Sequence, residues 1–339
     1  MDQPASPAST VSDGPLDRPA VPQPLRAIVA RIRQRGPAFL AFASVASVPV
    51  LVAVWWFTVL HPWHDDSYAF WSAWRDGRLY PGAWEPVSEY VYSPAFAQAF
   101  WPLTRLPWKV VNALWSALQL AALTWMLGPV GAVLAIAFPV PRIDGAGTAV
   151  FASINNGNPM ILTAAAITLG LTRWPAAFAY VLLTKVSAGI GILWFAARHE
   201  WRRLAIALGV TTAIAAASFV IAPHLWLQWG ELLYGAVGHS GGGEALSKER
   251  FLPVPLSIRG SIGLALVLIA AWRGRLWLVP IGCFLALPDV HLGGFAVLTA
   301  APAVWLREHG IDPWGRRGVR SVAASIRAAL RRRPAADAP

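Results

Sequence analysis

Two carboxylates, Asp65 and Asp66, stand side by side just after the first long apolar run of the chain, Phe39–Leu60. Ionisable groups at the end of a membrane span are costly to keep and mark a functional site unless they serve the fold. The structural alternative is that the pair marks the water boundary and caps the next helix, a position Asp favours. Lys185 interrupts the apolar run Trp174–Ala197, and His291 closes the step Pro288-Asp289-Val290-His291 between two others. Further polar groups accompany them: Arg75, Arg78, Tyr92, Asn156, Asn158, His224, His239, Lys248, Arg250, Arg259 and Asp289. Polar loops account for most of these, but least well for Asp66, Lys185 and His291. His61 and His64 beside the two aspartates offer divalent-metal ligands. All four fall in one short segment without helical ligand spacing, so no metal is expected. Neither a G-x-x-x-x-G-K-[ST] loop, nor H-E-x-x-H, nor G-x-S-x-G occurs.

The elements that must position these groups are membrane spans. Of 339 residues, 56% are hydrophobic and 13% charged, with a mean hydropathy of +0.49. Soluble domains carry about 25% charged residues. The deficit and the apolar runs argue for an all-α polytopic membrane protein. The net charge of +11 sits mainly at the two ends and in short loops. That is the pattern of the positive-inside rule, not of a nucleic-acid groove, and no nucleic-acid partner is expected. Cys283 is the one cysteine, which excludes a disulfide within the chain.

Met1–Gly36 is read as a disordered, basic cytoplasmic segment, residues 37–306 as the membrane domain, and residues 307–339 as a basic cytoplasmic tail. Phe39–Leu60 runs outward, so Asp65 and Asp66 face the exterior. Tyr68–Tyr80 has aromatics on one face and reads as a helix on the membrane surface. Ala95–Leu106 reads as interfacial, Trp108–Leu127 as the second span, Val130–Val140 as a third, and Arg142–Gly157 as an outer loop. Trp174–Ala197 is flanked by basic residues at both ends, and two complete spans need about 40 residues. It is therefore read as two short segments that enter and return, with Lys185 near the turn. His224–Ser257 reads as the second large outer loop. Both termini are expected in the cytoplasm.

Several of these motifs, in order, resemble glycosyltransferase family 87. They are Asp66, Phe70, Gly77-Arg78-Leu79-Tyr80, Tyr90-Val91-Tyr92-Ser93-Pro94 and Pro102-Leu103-Thr104-Arg105-Leu106-Pro107. Then come Asn156-Gly157-Asn158, Leu183-Thr184-Lys185 with Trp194 and the basic Arg198–Arg203, and Pro288-Asp289-Val290-His291. The resemblance runs from about Asp66 to Leu306. Ser93 stands where a second proline is common, Ala188 near the usual proline after the lysine, and Val290 in place of tryptophan.

The resemblance implies a GT-C-like bundle of about 8–10 transmembrane helices, each needing roughly 20 apolar residues to span. It implies a polyprenyl-phosphate-mannose-dependent mannosyltransferase of the cell membrane. The partners implied are that donor, a glycolipid or lipoglycan acceptor and membrane lipids, with no cofactor. Such a transfer needs one base for the acceptor hydroxyl and no strong acid, because the leaving phosphate is already a weak base. Asp66 is the expected base and Asp65 the alternative. Tyr92, Asn158, Lys185, Arg259 and His291 are the expected substrate-binding residues, the basic ones serving the lipid phosphate. A transporter or flippase of a lipid-linked sugar is the competing reading. It is disfavoured because the broken segment Trp174–Ala197 has no counterpart in the other half of the chain.

Overall fold

A computed structural model of the chain describes residues 37–62, 65–75, 79–80, 92–142, 145–239, 254–288 and 290–314. The readings of Met1–Gly36, Lys248, Arg250, Asp289 and the tail from residue 315 lie outside these, as do Arg78 and the side chains of Asp65, Arg75 and His239. The described chain is helical apart from one two-stranded ribbon.

Among the described residues, four helices are long and apolar enough to cross a membrane. They are α1 (Pro37–Leu60), and, after two short helices, α2 (Asp65–Arg75) and α3 (Pro94–Phe100), α4 (Trp108–Ala137). Past the ribbon strands β1 (Pro139–Arg142) and β2 (Gly145–Thr148), the chain forms α5 (Ala149–Asn156), α6 (Met160–Thr172), α7 (Phe178–Thr184) and α8 (Leu193–Ala197). The third and fourth long helices follow as α9 (Trp201–Ile221) and, beyond α10 (Pro223–His239), α11 (Leu256–Arg273). α12 (Val279–Leu285) and α13 (Ala300–Glu308) close the order. The all-α polytopic fold expected from the sequence is what the structure shows: beside these four helices stand shorter apolar ones, Met160–Thr172, Pro175–Thr184, Val186–Ala197 and Leu276–Leu285. α6 shows why short segments suffice. Its 13 residues reach about 20 Å, and Ile161, Ala164, Ile167 and Leu171 are buried among other helices. A helix that is apolar all round is shielded by protein, not by water.

Four local readings change. α4 breaks at Gly128, whose φ of 73° lies in the left-handed region. Past the kink only Pro129–Ala137 continues as helix, so where a third span was expected there is a short helical segment followed by the ribbon. The expected outer loop Arg142–Gly157 carries β2 and α5. The second outer loop opens with the 17-residue helix α10. On the aromatic face of α2, Phe70 turns into protein: it is 1% exposed, with its ring 5.0–6.1 Å from those of Tyr92, Phe96, Phe100 and Trp115.

The segment around Lys185 folds as its flanking charges imply. Lys185 itself is non-helical, with φ −138° and ψ 79°, between α7 and a 3-10 helix, Val186–Ile192. Gly189 lies against Leu182, and a Cβ on Gly191 would stand 3.1 Å from Phe178 and 2.8 Å from the Cys283 Sγ. Later residues meeting earlier ones in that order means that the chain doubles back at Lys185.

Side-chain bonds separate two ends of this bundle. At the basic end, the Arg198 Nη1 donates to Ala271 O at 3.3 Å, and Arg203 Nη2 to Leu171 O at 3.0 Å. There too Arg307 donates to Met126 O, Trp125 O and Ala303 O, and the Leu276 N–H donates to Glu308 Oε1 at 2.9 Å. The opposite end holds α2, the start of α3, the turn after α5, the Lys185 reversal and the segment leading to His291.

Candidate active site

The site grows from an aromatic floor. Phe70 on α2 and Phe96 and Phe100 on α3 meet Trp115 on α4 at ring separations of 5.4–6.4 Å, all near edge-to-face. Rings prefer such arrangements because the positive edge of one meets the negative face of another. α3 is started by Ser93, whose side chain accepts from the Phe96 N–H at 3.4 Å, with Pro94 at its first position. The serine that departs from the family pattern therefore works as a helix cap. Trp74 Nε1 donates to Ala97 O at 2.8 Å and Trp71 Nε1 to Leu106 O at 3.0 Å, which fixes α2 on the α3 segment.

On this floor stand three of the expected residues. Asp66 occupies the first turn of α2, where a carboxylate is favoured by the helix dipole. The buried phenol of Tyr92 lies close by, and its pKa is pushed well above the ordinary tyrosine value. Burial is the main cause, followed by the negative charge of Asp66 and by Tyr180. The Lys185 ammonium sits 4.7 Å from the centre of the Tyr92 ring, within cation–π range. A carboxylate, a neutral phenol and an ammonium are thus gathered from three distant stretches of sequence. Tyr80 supports the group from behind, its hydroxyl donating to Tyr92 O at 2.7 Å.

Asn158 comes next, one aromatic ring away. Gly157 ends α5 with φ 69°, a conformation suited to glycine, and a Cβ there would overlap Ser67. The neighbour of Asp66 is therefore pressed directly on the Asn156-Gly157-Asn158 turn. Trp115 Nε1 donates to Gly157 O at 2.7 Å, and the Gln119 amide donates to Asn158 O at 2.9 Å. The backbone of the turn is well held, yet its side chains are not. Among the described residues, both amide atoms of Asn155, the Oδ1 atoms of Asn156 and Asn158, the Tyr180 hydroxyl and the Ser187 Oγ are buried without a hydrogen-bond partner. Each such group costs about 1–3 kcal/mol if nothing meets it.

Arg259 and His291 belong to a separate part of this end. Arg259 is 6% exposed. Its guanidinium donates to Val254 O (2.9 Å), Leu285 O (3.2 Å), Leu287 O (2.9 Å) and Pro288 O (2.9 Å). Those bonds tie the start of α11 to the end of α12 and to the segment running into His291. His291 is exposed and precedes a 3-10 helix, Leu292–Thr299, whose Gly293 rests on Ser153 of α5. Among the described residues no hydrogen bond or ring contact joins His291 to the Asp66–Tyr92–Lys185 group. Sequence reasoning missed Asn155, Tyr180 and Ser187. Asn155 adjoins a motif that was read, whereas Tyr180 and Ser187 lie in an apolar run with no marker but Lys185 between them.

Comparison with known proteins adds the identity. No curated protein and no solved structure matches the chain. The model of glycosyltransferase family 87 matches residues 90–330. That stretch holds Tyr92, Asn158, Lys185, Arg259 and His291, and begins after Asp65 and Asp66. With a match over most of its length and helices able to cross a bilayer, this chain belongs to glycosyltransferase family 87 and is a membrane glycosyltransferase.

Proposed function

We propose that the chain transfers mannose, with inversion, from polyprenyl-phosphate-mannose to a hydroxyl of a glycolipid or lipoglycan, with Asp66 as general base. The observation that carries this reading is the gathering of Asp66 and Lys185 around the buried Tyr92 phenol. In the reaction the Asp66 carboxylate takes the proton of the acceptor hydroxyl as its oxygen bonds to the anomeric carbon. The bond from that carbon to the phosphate oxygen breaks, and polyprenyl phosphate leaves with the electron pair. The Lys185 ammonium meets the charge that grows on that phosphate. One carboxylate suffices, since the leaving group needs no protonation. Neither a metal nor a cofactor has a step to perform. Arg259 holds the strand of chain that presents His291 to the substrate. Family membership supports transfer over lipid-linked-sugar transport.

The site faces the exterior and both termini the cytoplasm in this reading. The support is the arginine-rich opposite end, whose charge the positive-inside rule keeps in the cytoplasm. Cysteine replacing His291 is expected to react with an impermeant thiol reagent in intact cells, and cysteine replacing His199 to be protected; the reverse pattern inverts the site. The function is tested with labelled polyprenyl-phosphate-mannose and membranes expressing the chain. Label moving to membrane glycolipid is the expected result. Donor bound without any transfer would overturn the reading.

A further inference from the structure

We infer that the Asn155-Asn156-Gly157-Asn158 turn, with the hydroxyls of Tyr180 and Ser187, is the subsite that reads the hydroxyl groups of the transferred sugar; this rests on the donor class proposed above. Buried amides and hydroxyls are nearly always hydrogen-bonded in folded proteins. Here they are not, at three separate places in the chain. Asn155 is only 2% exposed and both its amide atoms lack partners, as do Oδ1 of Asn156 and of Asn158. The Tyr180 hydroxyl on α7 and the Ser187 Oγ just past the Lys185 reversal are in the same condition.

The turn and Tyr180 reach one pair of rings, Trp115 and Phe96. The Trp115 N–H holds Gly157 O at 2.7 Å, and the Trp115 ring lies 6.4 Å from Phe96. Phe96 in turn lies 6.2 Å from Tyr180 and 5.3 Å from Tyr92, beneath the Lys185 ammonium. The turn and Tyr180 therefore border the aromatic stack that carries Tyr92 and the Lys185 ammonium, and Ser187 follows Lys185 by two residues. Their chemistry is uniform. Amides and hydroxyls both donate and accept, and none carries charge. That set fits a neutral polyol better than a phosphate, and the ammonium beside it fits the phosphate. Ordered water could also satisfy such groups, so the test separates water from sugar.

The experiment uses the purified full-length chain, polyprenyl-phosphate-mannose and each of its singly deoxygenated sugar analogues as donors. Tyr180→Phe and Ser187→Ala each delete one buried oxygen. With the intact donor, each variant is expected to lose about tenfold in kcat/KM, the worth of one hydrogen bond. The loss should vanish with the one deoxy donor that lacks the hydroxyl the deleted group contacts, and the unfolding temperature should hold or rise. Unchanged kcat/KM in both variants would mean that these groups hold water, and would overturn the inference. An equal loss on every donor would overturn it too, as the mark of a structural role. If Tyr180→Phe fails to accumulate, Ser187→Ala decides alone by the same comparison. Wild-type protein inert towards every donor would instead sink the donor class itself.

Discussion

The two polar ends of this bundle use hydrogen bonds in opposite ways. At the basic end the side chains are spent on the backbone: Arg198, Arg203 and Arg307 reach carbonyls of other helices, and Glu308 receives the Leu276 N–H. One atom there is left over, Glu308 Oε2. At the Asp66 end the backbone is held by Trp115 and Gln119, while the side chains of Asn155, Asn156, Asn158, Tyr180 and Ser187 keep unmet groups. A carbonyl beside a kink such as that at Gly128 has no helical partner and needs one from elsewhere. An amide kept unmet in the interior stabilises nothing until a ligand arrives. The difference teaches where the molecule is braced and where, on the function proposed above, it takes substrate.

The sharpest way to break that comparison is Asp66→Asn. It keeps size and hydrogen bonding but removes the basic site. Transfer is expected to fall roughly 100- to 10,000-fold, while donor binding and unfolding temperature change little. Asp65→Asn is the matched control and should be milder; if it alone abolishes transfer, the base moves by one residue. Lys185→Met comes next in size. Loss of a charge-assisted contact to phosphate, about 1.5–3 kcal/mol, corresponds to roughly 10- to 150-fold in kcat/KM, measured with polyprenyl-phosphate-mannose. Full activity in a normally folded Lys185→Met protein would leave the ammonium to its packing on Tyr92.

Arg307→Met should do the reverse of both. It strips Met126 O and Trp125 O of their donor, and a stability loss of about 1–3 kcal/mol is expected. Turnover per folded molecule should be unchanged. A fall in turnover without a fall in unfolding temperature would abolish the distinction between the ends. The smallest effect is Tyr80→Phe, which removes the bond to Tyr92 O at a cost of about 1 kcal/mol. Burial raises the Tyr80 pKa above the ordinary value, so the folded state keeps its proton longer than the unfolded chain does. That contribution to stability is fully present below pH ~10, where an unfolded tyrosine begins to ionise. It is lost as pH rises further. Unfolding followed from neutral to strongly alkaline pH should therefore show a shallower alkaline decline in Tyr80→Phe than in wild type.

Much of this architecture was legible before the coordinates. Apolar length named the first two long spans, Phe39–Leu60 and Trp108–Leu127, and basic residues on both sides of Trp174–Ala197 demanded a reversal, which occurs at Lys185. Other features were not legible, for identifiable reasons. Pro139, Pro141 and Gly145 read as breakers, and only the pairing of Pro139 with Thr148 and Arg142 with Gly145 makes a ribbon of them. α10 was hidden by the glycine stretch that follows it, although Leu225, Trp229 and Leu232 sit at helical spacing and pack on the aromatic cluster. Tyr180 and Asn155 carry no sequence mark of being unpartnered, because that depends on what the fold fails to bring near them. Asp66 was singled out from its place beside a span; its closeness to Tyr92 came only with the fold.

The reversal at Lys185 has a consequence for how the protein can vary. A through-going span cannot be added or lost without turning every later loop to the other side of the membrane. A hairpin that enters and returns leaves the sidedness of the remaining chain untouched whatever its length. α7 has 7 residues, about 10 Å of rise. One added or deleted turn would move the ammonium by about 5.4 Å relative to helices that stay where they are. On the role proposed for Lys185, the hairpin would be a depth gauge: its length would set how far below the membrane surface a lipid phosphate must sit to meet the positive charge, and that setting can be altered without rewiring the rest of the chain.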